Sequence, residues 1–199
     1  MIFLRYESPK EYIRLYPVTT IILLINIALY VAMWVVGSPY DKDTLIRFGA
    51  HVNVAPFHTE LWRYIAAQFL HIGFEHLLFN SFSLFVFAAP LERLLGKLRY
   101  IGLYLGSGIA GGLLSQLLSK GIVVSAGASG GIYGVFAAFA YLSWLRKDLF
   151  DQATRKTVIT ILIIGFVYSF MPQVNLFAHL GGFIGGFLIL HIMLYMRHR

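Results

Sequence analysis

Six stretches of mostly apolar residues alternate along the chain with shorter polar segments. Most are close to the roughly 20 residues that an α-helix needs to cross the hydrocarbon core of a bilayer. The fifth is shorter because Pro172 stops it. We predict six membrane spans, at about residues 17–36, 72–91, 100–118, 129–145, 157–171 and 176–196. Residues 1–16 are polar and aromatic, and we expect a short cytoplasmic or interfacial segment there.

The composition indicates a protein of the membrane. Hydrophobic residues make up 58% of the 199 residues, charged residues make up 13%, and the mean hydropathy is +0.73. Backbone polar groups inside a bilayer must be paired within the spanning structure, so only helices or a closed barrel can cross it. Because runs of this length select helices, we predict an all-α integral membrane protein with one six-helix bundle over residues 17–199.

The absence of cysteine and the dispersed positions of the charged residues exclude several types of site. The chain has no cysteine, which excludes disulfides, thiolate nucleophiles and cysteine-bound metals. The net charge of +7 is spread in small groups between the apolar runs, so nucleic acid is not expected as a partner. No carboxylate cluster accompanies the histidines, and no glycine-rich stretch has the strand and helix context of a nucleotide site. We therefore expect no metal, no nucleotide and no other cofactor.

The segment 40–70 is too polar to cross the membrane, yet it carries several large apolar side chains. Trp62 suits the membrane interface, and Arg63 can reach head groups or loop carbonyls. We expect this first outer loop to form a helix lying in the interface, with a structural role for the Trp62-Arg63 pair.

The positive charges predict an orientation. With six spans, the side that holds both termini carries twelve Lys and Arg residues, and the opposite side carries four. The twelve are Arg5, Lys10, Arg14, Arg93, Lys97, Arg99, Arg146, Lys147, Arg155, Lys156, Arg197 and Arg199, and the four are Lys42, Arg47, Arg63 and Lys120. Because Lys and Arg accumulate in cytoplasmic loops, we predict a multi-pass protein of the cell membrane with both termini in the cytoplasm.

Among the polar residues within the apolar spans, where such groups are costly, four fall into one group. His76 and Asn80 are one helical turn apart in the second span, Ser129 opens the fourth, and His179 lies near the start of the sixth. The predicted topology puts all four at a similar depth in the outer leaflet.

This set of residue types fits nucleophilic catalysis. A serine becomes a nucleophile when a neutral histidine takes its proton, and the negative charge that forms on the attacked carbonyl oxygen needs preorganised donors. An asparagine amide, a histidine N–H and the backbone at Ser129 could supply those donors. Gly127 and Gly130 would keep that backbone accessible.

Each residue taken singly also has a structural explanation. A serine among glycines is typical of a close helix contact, and His76, Asn80 or His179 could simply hydrogen-bond between helices. The convergence of these groups at one depth favours a reactive site over separate structural roles.

The pattern resembles the rhomboid family of intramembrane serine proteases. The resemblance extends from about Leu61 to Gly186. It rests on Gly127-Ala128-Ser129-Gly130 at the start of span four, on His76 followed after three residues by Asn80, and on His179 followed by Gly182 and Gly186.

The resemblance implies specific roles. Ser129 would be the nucleophile and His179 the general base and then general acid, without a third acidic partner. His76, Asn80 and the Ser129 backbone N–H would form the oxyanion hole, and Tyr133 would pack against the His179 ring. The glycines that would support the dyad are Gly127, Gly130, Gly182 and Gly186, of which the last two would let spans four and six approach closely.

The resemblance also implies the partners. Transmembrane proteins would be the substrates, arriving laterally from the lipid bilayer, with spans two and five as candidate gates. Two alternatives remain open at this point. A catalytically silent relative that binds or escorts membrane proteins would be expected to lack the serine or the histidine, whereas a small transporter would continue its polar residues to the cytoplasmic face.

Overall fold

The structure is a computed structural model that describes residues 2–146, 148–171 and 174–196. In this part of the chain, α-helices are joined by short loops, and two short strands pair as an antiparallel ribbon. The elements are α1 (Pro9–Leu15), α2 (Pro17–Val36), α3 (Lys42–Phe48), β1 (His51–Val52), α4 (Arg63–Ala66), α5 (Phe74–Ser83), α6 (Ala89–Leu95), α7 (Lys97–Leu118), β2 (Val124–Ser125), α8 (Ser129–Leu145), α9 (Gln152–Tyr168) and α10 (Leu176–Tyr195). Lys147, Pro172, Arg197 and Arg199, which contributed to the predictions above, lie outside the described residues.

Four helices of the described chain are long and apolar enough to cross a membrane: Pro17–Val36, Phe74–Leu95, Lys97–Leu118 and Leu176–Tyr195. Helix α8 is a shorter apolar helix of 17 residues, and α9 also has 17 residues. The predicted spans 17–36 and 129–145 coincide with α2 and α8. The other predicted spans agree with helices whose ends differ by a few residues.

The helix that contains the second predicted span continues beyond residue 91, past the charged residue Glu92. Helices α5 and α6 form one continuous helix, Phe74–Leu95, through a π-helical turn at Leu84–Ala88. Glu92 is 2% exposed, and its carboxylate accepts hydrogen bonds from the backbone N–H groups of Val18 (2.9 Å) and Thr19 (2.8 Å). Those amides are unpaired at the start of α2, where a carboxylate is favoured by the helix dipole. The pairing lets Glu92 stay buried inside the protein.

Local features of the chain set the starts of three further helices. Gly96, at φ +79°, separates α6 from α7, so α7 begins at Lys97 rather than at residue 100. Asp151 accepts a hydrogen bond from the N–H of Thr154 and starts α9 before the predicted residue 157. Asn175 caps α10 in the same way through the N–H of Ala178, so α10 begins at the predicted residue.

The segment 40–70 does not form a single helix, so that part of the prediction is wrong, whereas its interfacial location stays a prediction. The segment contains α3, β1, two short 3-10 turns and the four-residue helix α4. The Arg63 guanidinium is buried and donates to the carbonyl groups of Ile46 (2.7 Å) and Ala50 (3.1 Å), while it packs over the rings of Phe57 and Trp62. The carbonyl of Ile46 lies in the last turn of α3, where it also accepts from the N–H of Gly49, and the carbonyl of Ala50 lies just beyond the helix. A continuous helix through this segment would pair these carbonyls with its own N–H groups, whereas the end of α3 makes them accessible to the buried cation.

The outside of the bundle is apolar. Helix α2 exposes Leu24, Val31 and Val35, and α9 exposes Ile163 and Phe166 among other large apolar side chains. Such a surface suits contact with lipid rather than with water.

Close contact between α8 and α10 organises the interior. A Cβ atom on Gly182 would lie 2.9 Å from the backbone carbonyl carbon of Gly130, and one on Gly186 would lie 2.6 Å from the carbonyl oxygen of Gly134. Both distances are shorter than real Cβ contacts, and the opposing atoms are backbone, which cannot rotate away. Glycines are therefore required for the two helices to approach this closely.

We expect Gly186→Ala to destabilise the folded protein by about 1–3 kcal/mol, because the new methyl group overpacks the α8–α10 contact. The thermal midpoint in detergent micelles should fall. Gly102→Ala is the control, because its Cβ atom would lie at an ordinary 3.6 Å from Met193 Cε. Equal midpoints for the two variants would contradict the contact described here.

Candidate active site

The site begins where the chain enters α8. Gly127 has φ +142°, a backbone conformation that favours glycine, and its N–H donates to the carbonyl of Ala67 at 2.8 Å. The first helical bond of α8 runs from the N–H of Ile132 to the carbonyl of Ala128. The N–H of Ser129 precedes this bond, so it has no partner within the helix.

His76 and Asn80 lie beside this entry. A Cβ atom on Gly127 would lie 2.6 Å from His76 Cε1 and 3.7 Å from Asn80 Nδ2. Asn80 is 7% exposed, and its Nδ2 is a buried donor without a hydrogen-bond partner in the described chain. A buried donor left unpaired is costly unless something else accepts from it. The geometry therefore places an available donor next to the segment that carries Ser129.

Another histidine, His71, contacts His76. His71, in the loop before α5, is fully buried, and its ring meets the ring of His76 edge to face with 5.2 Å between the centroids. Burial, with a smaller contribution from His76, lowers the pKa of His71 to about 3. His71 is therefore neutral at physiological pH and brings no positive charge to the site.

His179 is held from three directions. Its backbone N–H donates to the carbonyl of Asn175 at 3.2 Å, which fixes it in the first turn of α10. Its ring stacks on Tyr133 with 4.0 Å between the centroids and 17° between the planes. Its Nδ1 lies 2.9 Å from the hydroxyl oxygen of Ser169, at the end of α9. His179 is 4% exposed, and these three contacts restrict the imidazole.

Asn175 ties this end of α10 to the rest of the fold. Its amide nitrogen donates to the hydroxyl groups of Ser115 (2.6 Å) and Ser125 (2.9 Å), while its oxygen caps α10. The start of α10 is thereby fixed against α7 and β2.

The structure brings together most of the residues predicted for the site. Tyr133 and His179 are stacked, His76 and Asn80 face Gly127, and Gly130 contacts Gly182. Ser129 is partly exposed and lies one helical turn before Tyr133. No hydrogen bond joins Ser129 to His179 within the described residues, so the functional link between the two stays a prediction. Long or absent nucleophile–base contacts are common in enzymes without bound substrate.

Ser169 was missed in the sequence analysis. A serine at the end of a span resembles any polar residue where a helix leaves an apolar environment, and no motif marks it. Only the packing of α9 against α8 and α10 brings it to the imidazole.

No group of three or more His, Cys, Asp or Glu side chains is arranged to hold a metal ion in the part of the chain that the structure describes. His76 lies against Gly127, and His179 lies against Tyr133 and Ser169.

The fold and the site define a class: a helical membrane protein with a small polar cluster at one end of its bundle. Comparison with known proteins narrows it. The Rhomboid domain family matches residues 58–196. The chain therefore belongs to the rhomboid family, and it is a multi-pass membrane protein.

Several relatives agree with this assignment. The YdcA protein of Bacillus subtilis (strain 168), whose name assigns it provisionally to the rhomboid proteases, is 40% identical over 202 residues, covering 99% of this chain and 98% of the relative. Rhomboid protease GluP of the same organism is 32% identical over 170 residues, which cover 85% of this chain but 33% of GluP. Rhomboid protease AarA of Providencia stuartii is 30% identical over 199 residues, covering 86% of this chain and 70% of AarA.

The predicted role of Asn80 as one of several oxyanion donors implies that Asn80→Ala slows cleavage of a model transmembrane substrate by roughly tenfold to a thousandfold. The measurement is the initial cleavage rate of purified protein in lipid vesicles. Ser81→Ala is the control, since Ser81 also has a buried, unpartnered side-chain oxygen on the same helix. Full activity of Asn80→Ala would remove Asn80 from the oxyanion hole.

Proposed function

We propose that this chain is an intramembrane serine endopeptidase that hydrolyses peptide bonds in or near transmembrane segments of membrane proteins. The observation that carries the proposal is the arrangement of His179. Its ring is stacked on Tyr133 and its Nδ1 is occupied by Ser169, so that Nε2 remains as the nitrogen available to a nucleophile. Membership of a family whose relatives are named proteases supports the same reading.

In the proposed reaction, His179 Nε2 takes the proton of the Ser129 hydroxyl while Ser129 Oγ attacks the carbonyl carbon of the peptide bond. His179 then gives this proton to the leaving amine, and an acyl-enzyme on Ser129 remains. A water molecule, deprotonated by the same histidine, attacks the ester, and the proton returns to Ser129 as the acid product leaves. The cycle consumes one water and restores the enzyme.

The oxyanion of each tetrahedral intermediate would be met by three donors. These are the unpartnered Asn80 amide, a His76 ring N–H and the N–H of Ser129 at the open end of α8. Donors of this kind contribute most when they are already in place in a site of low dielectric constant, as the burial of Asn80 indicates here.

We further propose six spans with both termini in the cytoplasm. Besides the four long helices, α8 and α9 would also cross, although 17 residues of α-helix extend only about 26 Å. A helix shorter than the roughly 30 Å hydrocarbon core leaves an end below the membrane surface, so the proposed site at the start of α8 would need a polar cavity open to the outer face to admit water. The excess of Lys and Arg on the side of the termini supports the orientation.

Substrates would be transmembrane proteins, entering from the lipid. Helix α9 supports a gating role because Thr154 and Val158 are its only buried residues over its described length, whereas its apolar residues are largely exposed. A helix held by so few interior contacts needs little energy to move aside. Helix α5 exposes Leu78, Phe79 and Phe82 to the lipid and is the other candidate gate.

Ser129→Ala and His179→Ala should each abolish labelling by a fluorophosphonate probe and cleavage of a model transmembrane substrate, because the first lacks the nucleophile and the second lacks its base. Ser143→Ala is the control, because Ser143 lies on α8 with a buried, unpartnered hydroxyl oxygen. Near-normal activity of either site variant would disprove the dyad. A folded wild type that neither reacts with the probe nor cleaves the substrate would instead indicate a binding or escort protein.

A further inference from the structure

The Nδ1 atom of His179 meets a hydroxyl group that comes from a third helix. Ser169 is 4% exposed, and its Oγ lies 2.9 Å from Nδ1. The same oxygen lies 2.7 Å from the Tyr133 hydroxyl and 2.8 Å from the carbonyl oxygen of Gly165. The Tyr133 hydroxyl also donates to that carbonyl. Two hydroxyl groups and one carbonyl group thus form a network with the Nδ1 atom of the imidazole, and Nε2 is not part of this network.

The hydrogen atoms of this network can be counted. Each hydroxyl has one hydrogen to donate, and the Gly165 carbonyl can only accept. A serine near a helix end commonly donates to the carbonyl four residues earlier, which is the relation between Ser169 and Gly165. When the Ser169 hydrogen goes to Gly165, the Ser169 oxygen accepts from His179, and Nδ1 is then the protonated nitrogen of the neutral ring.

The opposite arrangement would leave the histidine unable to act. If Ser169 donated to Nδ1, the hydrogen of the neutral ring would be on Nε2, and Nε2 could not accept the Ser129 proton. The partner of one ring nitrogen therefore decides whether the other is a base.

We propose that Ser169 is a positioning residue that holds His179 in the Nδ1–H tautomer and in the orientation needed to activate Ser129. The inference rests on the proposed protease function and adds a third member to the predicted dyad. Ser169 would continue to accept from Nδ1–H when the ring becomes an imidazolium during the reaction, as the carboxylate of a triad does. A neutral hydroxyl avoids the cost of burying an ionised carboxylate among apolar helices.

The hydrogen bond to His179 comes from the end of α9, so it depends on how this helix is attached to the bundle. Gly165 admits the Tyr133 hydroxyl because it has no side chain, and a Cβ atom there would lie 3.3 Å from that oxygen. Tyr133, Gly165 and Ser169 thus fasten the end of a helix that is otherwise little buried. The orientation of the general base depends on α9 being docked.

The test compares Ser169→Ala and Ser169→Thr with wild type, using the labelling rate of a fluorophosphonate probe and the kcat and KM for a model single-span peptide in lipid vesicles. We expect Ser169→Ala to lower the labelling rate and kcat about tenfold, on the scale of one lost hydrogen bond, with KM unchanged. Ser169→Thr keeps the hydroxyl and should restore most of the rate. Thr157→Val is the matched control, because the hydroxyl of the half-buried Thr157 makes the same kind of bond on α9, to the carbonyl of Ala153, away from His179.

The amplitude of labelling separates positioning from folding. A variant that merely unfolds a fraction of the protein labels less protein at the normal rate, whereas loss of positioning labels all of it slowly. Labelling of Ser169→Ala at the rate of Thr157→Val, or a reduced amplitude with a normal rate, would overturn the proposal.

The tautomer can be measured without any activity. In protein labelled with ¹⁵N-histidine, the His179 signals, assigned by their loss in His179→Ala, should show a protonated Nδ1 and an unprotonated Nε2 in wild type and a mixture in Ser169→Ala. The reverse tautomer in wild type would overturn the inference. A wild type that does not react with the probe would overturn the protease proposal alone, since the spectrum would still report whether Ser169 sets the tautomer.

Discussion

The contact between the backbones of α8 and α10 is the constraint on which the rest of the structure depends. Gly182 and Gly186 lie directly against Gly130 and Gly134, with no room for a methyl group between them. In a lipid environment, where burial of apolar surface does not drive helices together, such close contacts supply van der Waals attraction that larger residues would prevent. This spacing puts the first turns of the two helices, with Ser129 and His179, side by side.

Polar groups inside the bundle follow a second constraint, because each needs a partner when water is absent. Arg63 uses loop carbonyls, Glu92 uses the free amides at the start of α2, and Asn175 uses two serine hydroxyls. Asn80 Nδ2 has no such partner, although Asn26 and Tyr104 also have unpaired buried atoms away from the site. The lack of a partner is therefore not enough to assign a function to Asn80. Its position beside Gly127 is what distinguishes its donor from the others.

The site also combines a rigid part with a loosely held part. Helices α7, α8 and α10 meet through glycines and small residues, and the loop from Arg63 to His71 is fixed to the entry of α8 by the bond from Gly127 to Ala67. Helix α9 buries little of its own surface, yet its end reaches Tyr133 and His179 through Ser169. The helix proposed as a gate is thus joined to the imidazole by one hydrogen bond.

The sequence by itself determined the apolar spans and the residue types at the site. Bilayer thickness fixes the length of a spanning helix, so α2 and α8 could be predicted with their ends. Polar residues inside such runs are costly, and the convergence of His76, Asn80, Ser129 and His179 at one predicted depth singled these four out. The sixfold crossing and the roles of these four residues stay predictions. Tertiary structure alone decided the shape of the loop around Arg63, the extension of the second span to Leu95 and the arrival of Ser169 at the histidine. Each depends on a polar partner from a distant part of the chain, and the periodicity of a single helix contains no information about such a partner.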